Sequence, residues 1–220
     1  MRLRYRAAIF DLDGTLIDSA RDLVESVVYA LGCVDGREPP DGDTIIMEIG
    51  KPLETILRHL GYPSDEASTR QFVENYRRHF ADHFPHHTRV FPGVHETLAV
   101  LRDAGVRLAL VTTKHQTQAE HAVRKTGLDG YFHYLHGWSE GRRHKPHPEP
   151  VETALGKLGV PAAEAIVIGD TEQDIESAKA AGVATCAVAY GFRPVLMLRA
   201  LRPDFLVARF SDIAHIVIAA

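Results

Sequence analysis

Cysteine is scarce in this chain: Cys33 and Cys186 are the only two in 220 residues. They lie far apart, and no Cys-x-x-Cys or Cys/His finger spacing occurs. That excludes a disulfide framework or a structural zinc module as the organising principle, and two reduced, buried thiols are expected. Long apolar runs are also missing. Asp11 cuts the opening MRLRYRAAIF well short of a signal-peptide core or a membrane span, so a soluble cytoplasmic protein with no membrane partner is expected. Positive charge is not in excess: 25 Lys+Arg against 29 Asp+Glu give a formal net charge of -4. The field of the whole molecule therefore offers nothing to a nucleic acid. Internal repeats and low-complexity tracts are absent. Of the 13 histidines, none stands in an HExxH or Cys/His pattern. His86-His87 and the pair His144 and His147 are expected as exposed loop residues rather than zinc ligands. The sequence carries no signal for oligomeric state.

What the chain does have is a rhythm of short apolar runs that stop at polar or glycine residues. AAIF (7–10), VRLALV (106–111), AIVIG (165–169) and ATCAVA (184–189) are the clearest, with YFHYLHG (131–137) and DFLV (204–207) weaker. Continuous apolar runs of this length suit parallel strands covered on both faces. Helical patterns separate them over 94–105, 115–127, 148–159 and 174–182, with Gly or Pro at their ends. Strand–helix alternation predicts an α/β fold: a doubly wound, Rossmann-like parallel sheet.

Residues 18–87 break the rhythm. SARDLVESVVYALG, TIIMEIGKPLETILRHLG and SDEASTRQFVENYRRHFADHF all read as helices, with no strand between them. Ser64 is the expected N-cap of the last, and Phe72, Val73, Tyr76, Phe80 and Phe84 form its apolar stripe. The expected organisation is thus an α/β core over 1–17 and 88–220 with an inserted all-helical subdomain over 18–87.

Chemistry concentrates where strands end. Asp11 and Asp13 follow AAIF, Thr112, Thr113 and Lys114 follow VRLALV, Asp170 follows AIVIG with Asp174 four residues on, and Lys145 follows the weak run at 131–137. Ligand crevices in open α/β sheets form outside the carboxyl ends of strands. Clustered carboxylates repel unless a cation joins them, and hard oxygen ligands suit Mg²⁺. An ammonium and a hydroxyl complete a phosphate site. Aspartate is a competent nucleophile, and a second one two residues away serves as general acid and base. Each residue also has a plainer reading. Asp170 or Asp174 can simply cap the following helix, Lys114 reads as a solvated charge, and His115 as a helix-start surface residue. Asp18 either lines a cap entrance or begins the first inserted helix.

DLDGT (11–15), Thr112, Lys145 in KPHPEP and GDTEQD (169–174) resemble, in order and across the whole chain, the four motifs of the haloacid dehalogenase superfamily. The helical insert resembles that superfamily's smaller cap, and the nearest group is the phosphoglycolate phosphatase-like hydrolases. The resemblance implies a Mg²⁺-dependent phosphatase acting on a small phosphorylated metabolite through an aspartyl-phosphate. By it, Asp11 is the nucleophile and a metal ligand. Asp13 is the acid and base, with its backbone carbonyl on the metal. Asp170 is a metal ligand, and Asp174 holds the metal's water shell or orients Lys145. Thr112 binds phosphoryl oxygens, Lys145 neutralises Asp11 and the moving group, and Thr15 fixes Asp13. Thr113 stands where relatives often carry Asn, whose longer side chain makes the stronger contact. An acid at position 13 sets the chain apart from dehalogenases and phosphonatases. Lys51, beside the helix break at Gly50-Lys51-Pro52, is a candidate contact for the non-phosphate end of substrate. A pyrophosphatase and a sugar-phosphate mutase stay open within the superfamily. A phospho-accepting signalling receiver stays open outside it.

Overall fold

The computed structural model of the chain describes residues 2–219. The chain divides into two compact units: one runs through Asp18 and resumes at Val90, and the other is Ser19–Arg89.

The first unit is built on a parallel sheet. After the two-residue β1 (Arg2–Leu3), the central strand β2 (Ala7–Phe10) has all four side chains fully buried. β3 (Ile17–Asp18) and β4 (Arg89–Val90) are the short stretches at which the chain leaves and re-enters this unit. β5 (Arg107–His115), β6 (Tyr134–Trp138), β7 (Ala165–Gly169), β8 (Ala184–Val188) and β9 (Phe205–Val207) complete the sheet, in the order β6-β5-β2-β7-β8-β9. β10 (Ile218–Ala219) pairs antiparallel with β1. Phe10 stands level with Leu110 of β5 on one side and Ile168 of β7 on the other; β2 and β7 end within a residue of this level, while β5 runs on. β2, the first strand of the sheet, has the second on one flank and the fourth on the other. The winding direction reverses there, which is where α/β sheets open a crevice.

Side chains alternate across the sheet. Ala7, Ile9, Ala109, Val111 and Val167 face a core with Val151, Ala154, Leu155 and Leu158, supplied by the inner stripe of α7 (Glu149–Leu158). Phe10 points to the other side, 5.7 Å from the ring of Phe210. α5 (Val94–Asp103), α6 (Gln116–Lys125), α8 (Glu172–Ala180), α9 (Val195–Ala200) and α10 (Asp212–Val217) are the remaining helices of this unit.

The second unit is helical: α1 (Ala20–Val34), α2 (Gly42–Ile46), α3 (Leu53–His59) and α4 (Glu66–His83). Leu23, Val27, Ala30 and Leu31 form the buried stripe of α1, and Phe72, Val73, Tyr76 and Phe80 that of α4. Spacings of three and four residues put each set on one helix face. Arg37 ties the end of α1 to the end of α3: its guanidinium lies 3.7 Å from the ring centre of Tyr62 and donates to the carbonyl of Gly61 at 2.7 Å.

Three expectations need correction. β5 does not stop at Val111. Its ladder continues, with an irregularity, until His115 meets Trp138, so Thr112, Thr113 and Lys114 lie inside a strand. The N-cap of α4 is Asp65, not Ser64; its carboxylate accepts from the backbone N–H of Ala67 and Ser68, both at 3.0 Å. Cys33 is half-buried rather than buried, while burial pushes the Cys186 thiol up to about 12. Neither cysteine is in a disulfide. No helix among the described residues is long and apolar enough to cross a membrane.

Candidate active site

Asp11 is the first residue beyond β2, and its N–H still donates to the carbonyl of Ile168 on the neighbouring strand at 2.9 Å. The chain then turns sharply: the Leu12 carbonyl accepts from Thr15, Leu16 and Ile17. Gly14 takes φ +83° in this turn, and a Cβ there would collide with the Asp170 carboxylate. A side chain is therefore barred at Gly14 on two counts, backbone conformation and space.

Asp170 leaves β7 beside it. Thr15 Oγ1 donates to Asp170 Oδ1 at 2.8 Å, and the Phe192 N–H donates to Oδ2 at 2.8 Å. Thr15 thus fixes Asp170, not Asp13 as expected. The Tyr190 hydroxyl closes the same turn by donating to the Thr15 carbonyl at 2.9 Å. Asp174 sits at the third position of α8, whose N-cap is Thr171, not either aspartate. The Asp174 Oδ2 accepts from the Thr171 N–H at 3.0 Å and from its hydroxyl at 2.6 Å. This capping box leaves the other oxygen of Asp174 turned towards the sheet.

Lys145 joins the pieces. Its Nζ donates to Asp11 Oδ1 at 2.9 Å, to Asp174 Oδ1 at 2.5 Å and to the Val111 carbonyl at 2.9 Å, and the residue is only 4% exposed. The loop that delivers it is pinned at several points. Gln116 Oε1 accepts from the Gly137 N–H at 2.7 Å and from Arg142 at 3.1 Å, while Trp138 donates to the Arg142 carbonyl at 3.1 Å. The Trp138 and His144 rings stack at 4.9 Å.

Thr112 is buried, and its hydroxyl oxygen accepts from the Lys114 N–H at 3.2 Å. Thr113 is half-buried. Lys114, expected as a solvated charge, is instead buried with its Nζ 3.1 Å from Asp13 Oδ2. The continuation of β5 to His115 carries Lys114 inward with Thr112, two residues before it in the same strand. His115 Nδ1 lies 2.9 Å from the Thr117 hydroxyl at the start of α6. Asp18 is exposed at the end of β3, and the first inserted helix begins after Ser19. Lys51, in the helical unit, donates to Glu48 Oε2 at 2.8 Å.

The electrostatics of the cluster are unbalanced. Asp11, Asp13, Asp170 and Asp174 bring four carboxylates against the ammonium groups of Lys114 and Lys145, all of them buried. Burial pushes the Asp11 carboxyl up to about 7, with Asp174 adding to the rise and Lys145 opposing it. Burial, then repulsion from Asp174 and Asp11, holds Asp170 well above the usual carboxylate range. Burial works against the charge of Lys145, but Asp11 and Asp174 outweigh it and raise its affinity for the proton. The oxygens of Asp11, Asp170 and Asp174 lie within 4.8 Å of one another. Once all four carboxylates are ionised they exceed the two ammonium groups by two charges, and an all-oxygen set of that kind fits a small hard dication.

The structure thus sets a lysine-bridged cluster of buried aspartates at the switch point of a parallel, Rossmann-like sheet. The model of the haloacid dehalogenase-like hydrolases matches residues 8–188, and the chain belongs to that family. It is 32% identical over 215 residues to pyrophosphatase PpaX of Halalkalibacterium halodurans, spanning 98% of each chain. It is 31% identical over 212 residues to phosphoglycolate phosphatase of Aquifex aeolicus, 96% of each. A haloacid dehalogenase-like family hydrolase of Streptococcus pneumoniae superimposes with a TM-score of 0.85 at 26% identity, covering 96% of this chain and 97% of that one.

Proposed function

We propose that this hydrolase is a Mg²⁺-dependent phosphatase that cleaves a small phosphorylated metabolite, phosphoglycolate or a sugar phosphate, through an aspartyl-phosphate on Asp11. One observation carries the reading: the Lys145 ammonium held between Asp11 and Asp174, beside Asp170, in a buried cluster with more carboxylates than ammonium groups.

Asp11, Asp170 and the Asp13 backbone carbonyl would hold Mg²⁺, with Asp174 behind them. When bound, the cation supplies the positive charge that lets a phosphoryl dianion approach a carboxylate. An Asp11 oxygen forms a bond to phosphorus as the bond to the leaving oxygen breaks, and Asp13 passes its proton to that oxygen. Asp13, now a carboxylate, takes a proton from water. The water oxygen attacks phosphorus, releases phosphate and restores Asp11. Thr112 donates to a phosphoryl oxygen, the Lys145 charge neutralises Asp11 and the moving group, and Thr113 adds a lesser contact. Lys114, on Asp13 Oδ2, is a positioning residue for the acid and base. The helical unit is assigned the part of a cap that limits substrate size and excludes water from the first transfer.

The pyrophosphatase relative favours a second substrate, inorganic pyrophosphate. It offers the same phosphoryl group with a different leaving oxygen. Phosphate release from a panel of phosphoglycolate, sugar phosphates and pyrophosphate, with Mg²⁺ and with EDTA, tests the proposal. Release is expected with Mg²⁺ and lost in EDTA; equal release in EDTA refutes it. On the preferred substrate, Lys51→Ala is expected to raise KM and Lys114→Met to lower kcat. An unchanged kcat/KM in Lys51→Ala removes that residue from the substrate site, and an unchanged kcat in Lys114→Met removes the positioning role.

A further inference from the structure

A second group of ligating side chains converges in the helical unit. Glu25 of α1 and the adjacent His86 and His87, just beyond α4, place one ligand atom each within 4.8 Å of one another. His87 Nε2 lies 3.5 Å from Glu25 Oε1, and the two imidazole rings are 4.2 Å apart at their centres. The proposed reaction uses none of these residues.

The segment that carries the histidines is held in place from the same helix that presents the glutamate. Asp22 lies one turn before Glu25. Its carboxylate accepts from the backbone N–H of His86 at 3.1 Å, His87 at 2.9 Å and Thr88 at 3.0 Å, and from the Thr88 hydroxyl at 2.6 Å. The relative position of α1 and residues 86–88 is thereby fixed before any ion arrives, the preorganisation that ligand sites need. Other nearby histidines are engaged elsewhere. His79 Nδ1 meets the Ser26 hydroxyl at 3.1 Å, and His83 Nδ1 meets the His79 carbonyl at 2.8 Å. Arg21 competes for Glu25, at 2.9 Å in an exposed ion pair, a weak contact by nature.

We propose that Glu25, His86 and His87 form a second cation site, for a late first-row transition-metal dication such as Zn²⁺, Ni²⁺ or Cu²⁺. Two imidazoles and one carboxylate suit these ions, whereas Mg²⁺ prefers oxygen donors only. Three protein ligands on a partly exposed surface leave coordination positions for water. The site is thus chemically distinct from the all-oxygen Asp11–Asp170–Asp174 pocket. Occupied, it cross-links the first and last segments of the helical unit.

Titration calorimetry of Zn²⁺ into the full chain, with Mg²⁺ in large excess to fill the oxygen pocket, tests the proposal. One equivalent of saturable binding is expected. Glu25→Gln should weaken it at least tenfold, the double variant His86→Ala/His87→Ala should abolish it, and Asp170→Asn should leave it in place. Binding that is absent, that survives in the double variant or that vanishes in Asp170→Asn overturns the assignment. Electron paramagnetic resonance of Cu²⁺ bound to the unaltered chain gives an answer independent of variant folding. Hyperfine structure from two imidazole nitrogens supports the site, and its absence refutes it.

Discussion

At the scale of single residues, Asp11 and Asp170 decide how the protein responds to pH. Burial holds Asp11 protonated up to about 7 in the metal-free chain, and it holds Asp170 protonated well above the ordinary range. A cation needs both ionised, so proton and metal compete. Mg²⁺ affinity is expected to rise with pH towards about 7, the value for Asp11. Calorimetric titrations from about pH 5 to about pH 8 check this, and a constant affinity across that window contradicts it. The sign for folding follows from the same groups. An acid whose folded pKa lies above its unfolded one binds its proton more tightly when folded. The metal-free fold therefore loses stability as pH climbs from the ordinary carboxylate range, about 4, towards about 7. Asp11, Asp13 and Asp170 were legible as site candidates because they stand where an apolar run breaks, and Lys145 through the proline-rich KPHPEP that it opens. Lys114 was not, because the apolar run stops at Val111 while the hydrogen-bonded ladder runs on to His115. Phe192 was beyond reach of sequence reasoning, since its contribution is a backbone N–H from a remote loop.

At the scale of elements, short polar devices set where helices begin and how loops are held. Asp65, Thr171 and Asp22 each give oxygens to backbone donors, and the choice of the two helix caps was ambiguous in sequence. Ser64 and Asp65 are both good caps, as are Asp170 and Thr171, and only the local backbone selects between neighbours. Asp22 gave no sequence signal, because its partners lie at the far end of the helical unit. Its hydrogen bonds to Thr88, His87 and His86 outweigh burial and hold its carboxyl below the usual range. Such a group stabilises fully above the unfolded carboxylate pKa of about 4, and the contribution is lost as pH falls through the lower folded value. Asp22→Ala should therefore cost about 2 kcal/mol at neutral pH, read from urea unfolding followed by far-ultraviolet circular dichroism, and progressively less in acid. A variant that unfolds at the same urea concentration as the parent would contradict the role given to Asp22.

At the scale of the whole molecule, the sheet order brings together groups distant in sequence. Strand–helix alternation made the parallel sheet readable, and the strand-free stretch made the helical unit readable. Neither could supply the order β6-β5-β2-β7-β8-β9, which puts Asp11 and Asp170 on adjacent strands at the point where winding reverses. That adjacency concentrates the negative charge, and the charge calls for a cation and makes a phosphoryl group a fitting ligand. The most direct measurement is to trap the enzyme during turnover of its best substrate, reduce any acyl phosphate with borohydride and locate the modified residue by mass spectrometry. The account predicts homoserine at position 11, absent in Asp11→Asn together with turnover. Modification at any other residue, or steady turnover by Asp11→Asn, would contradict it.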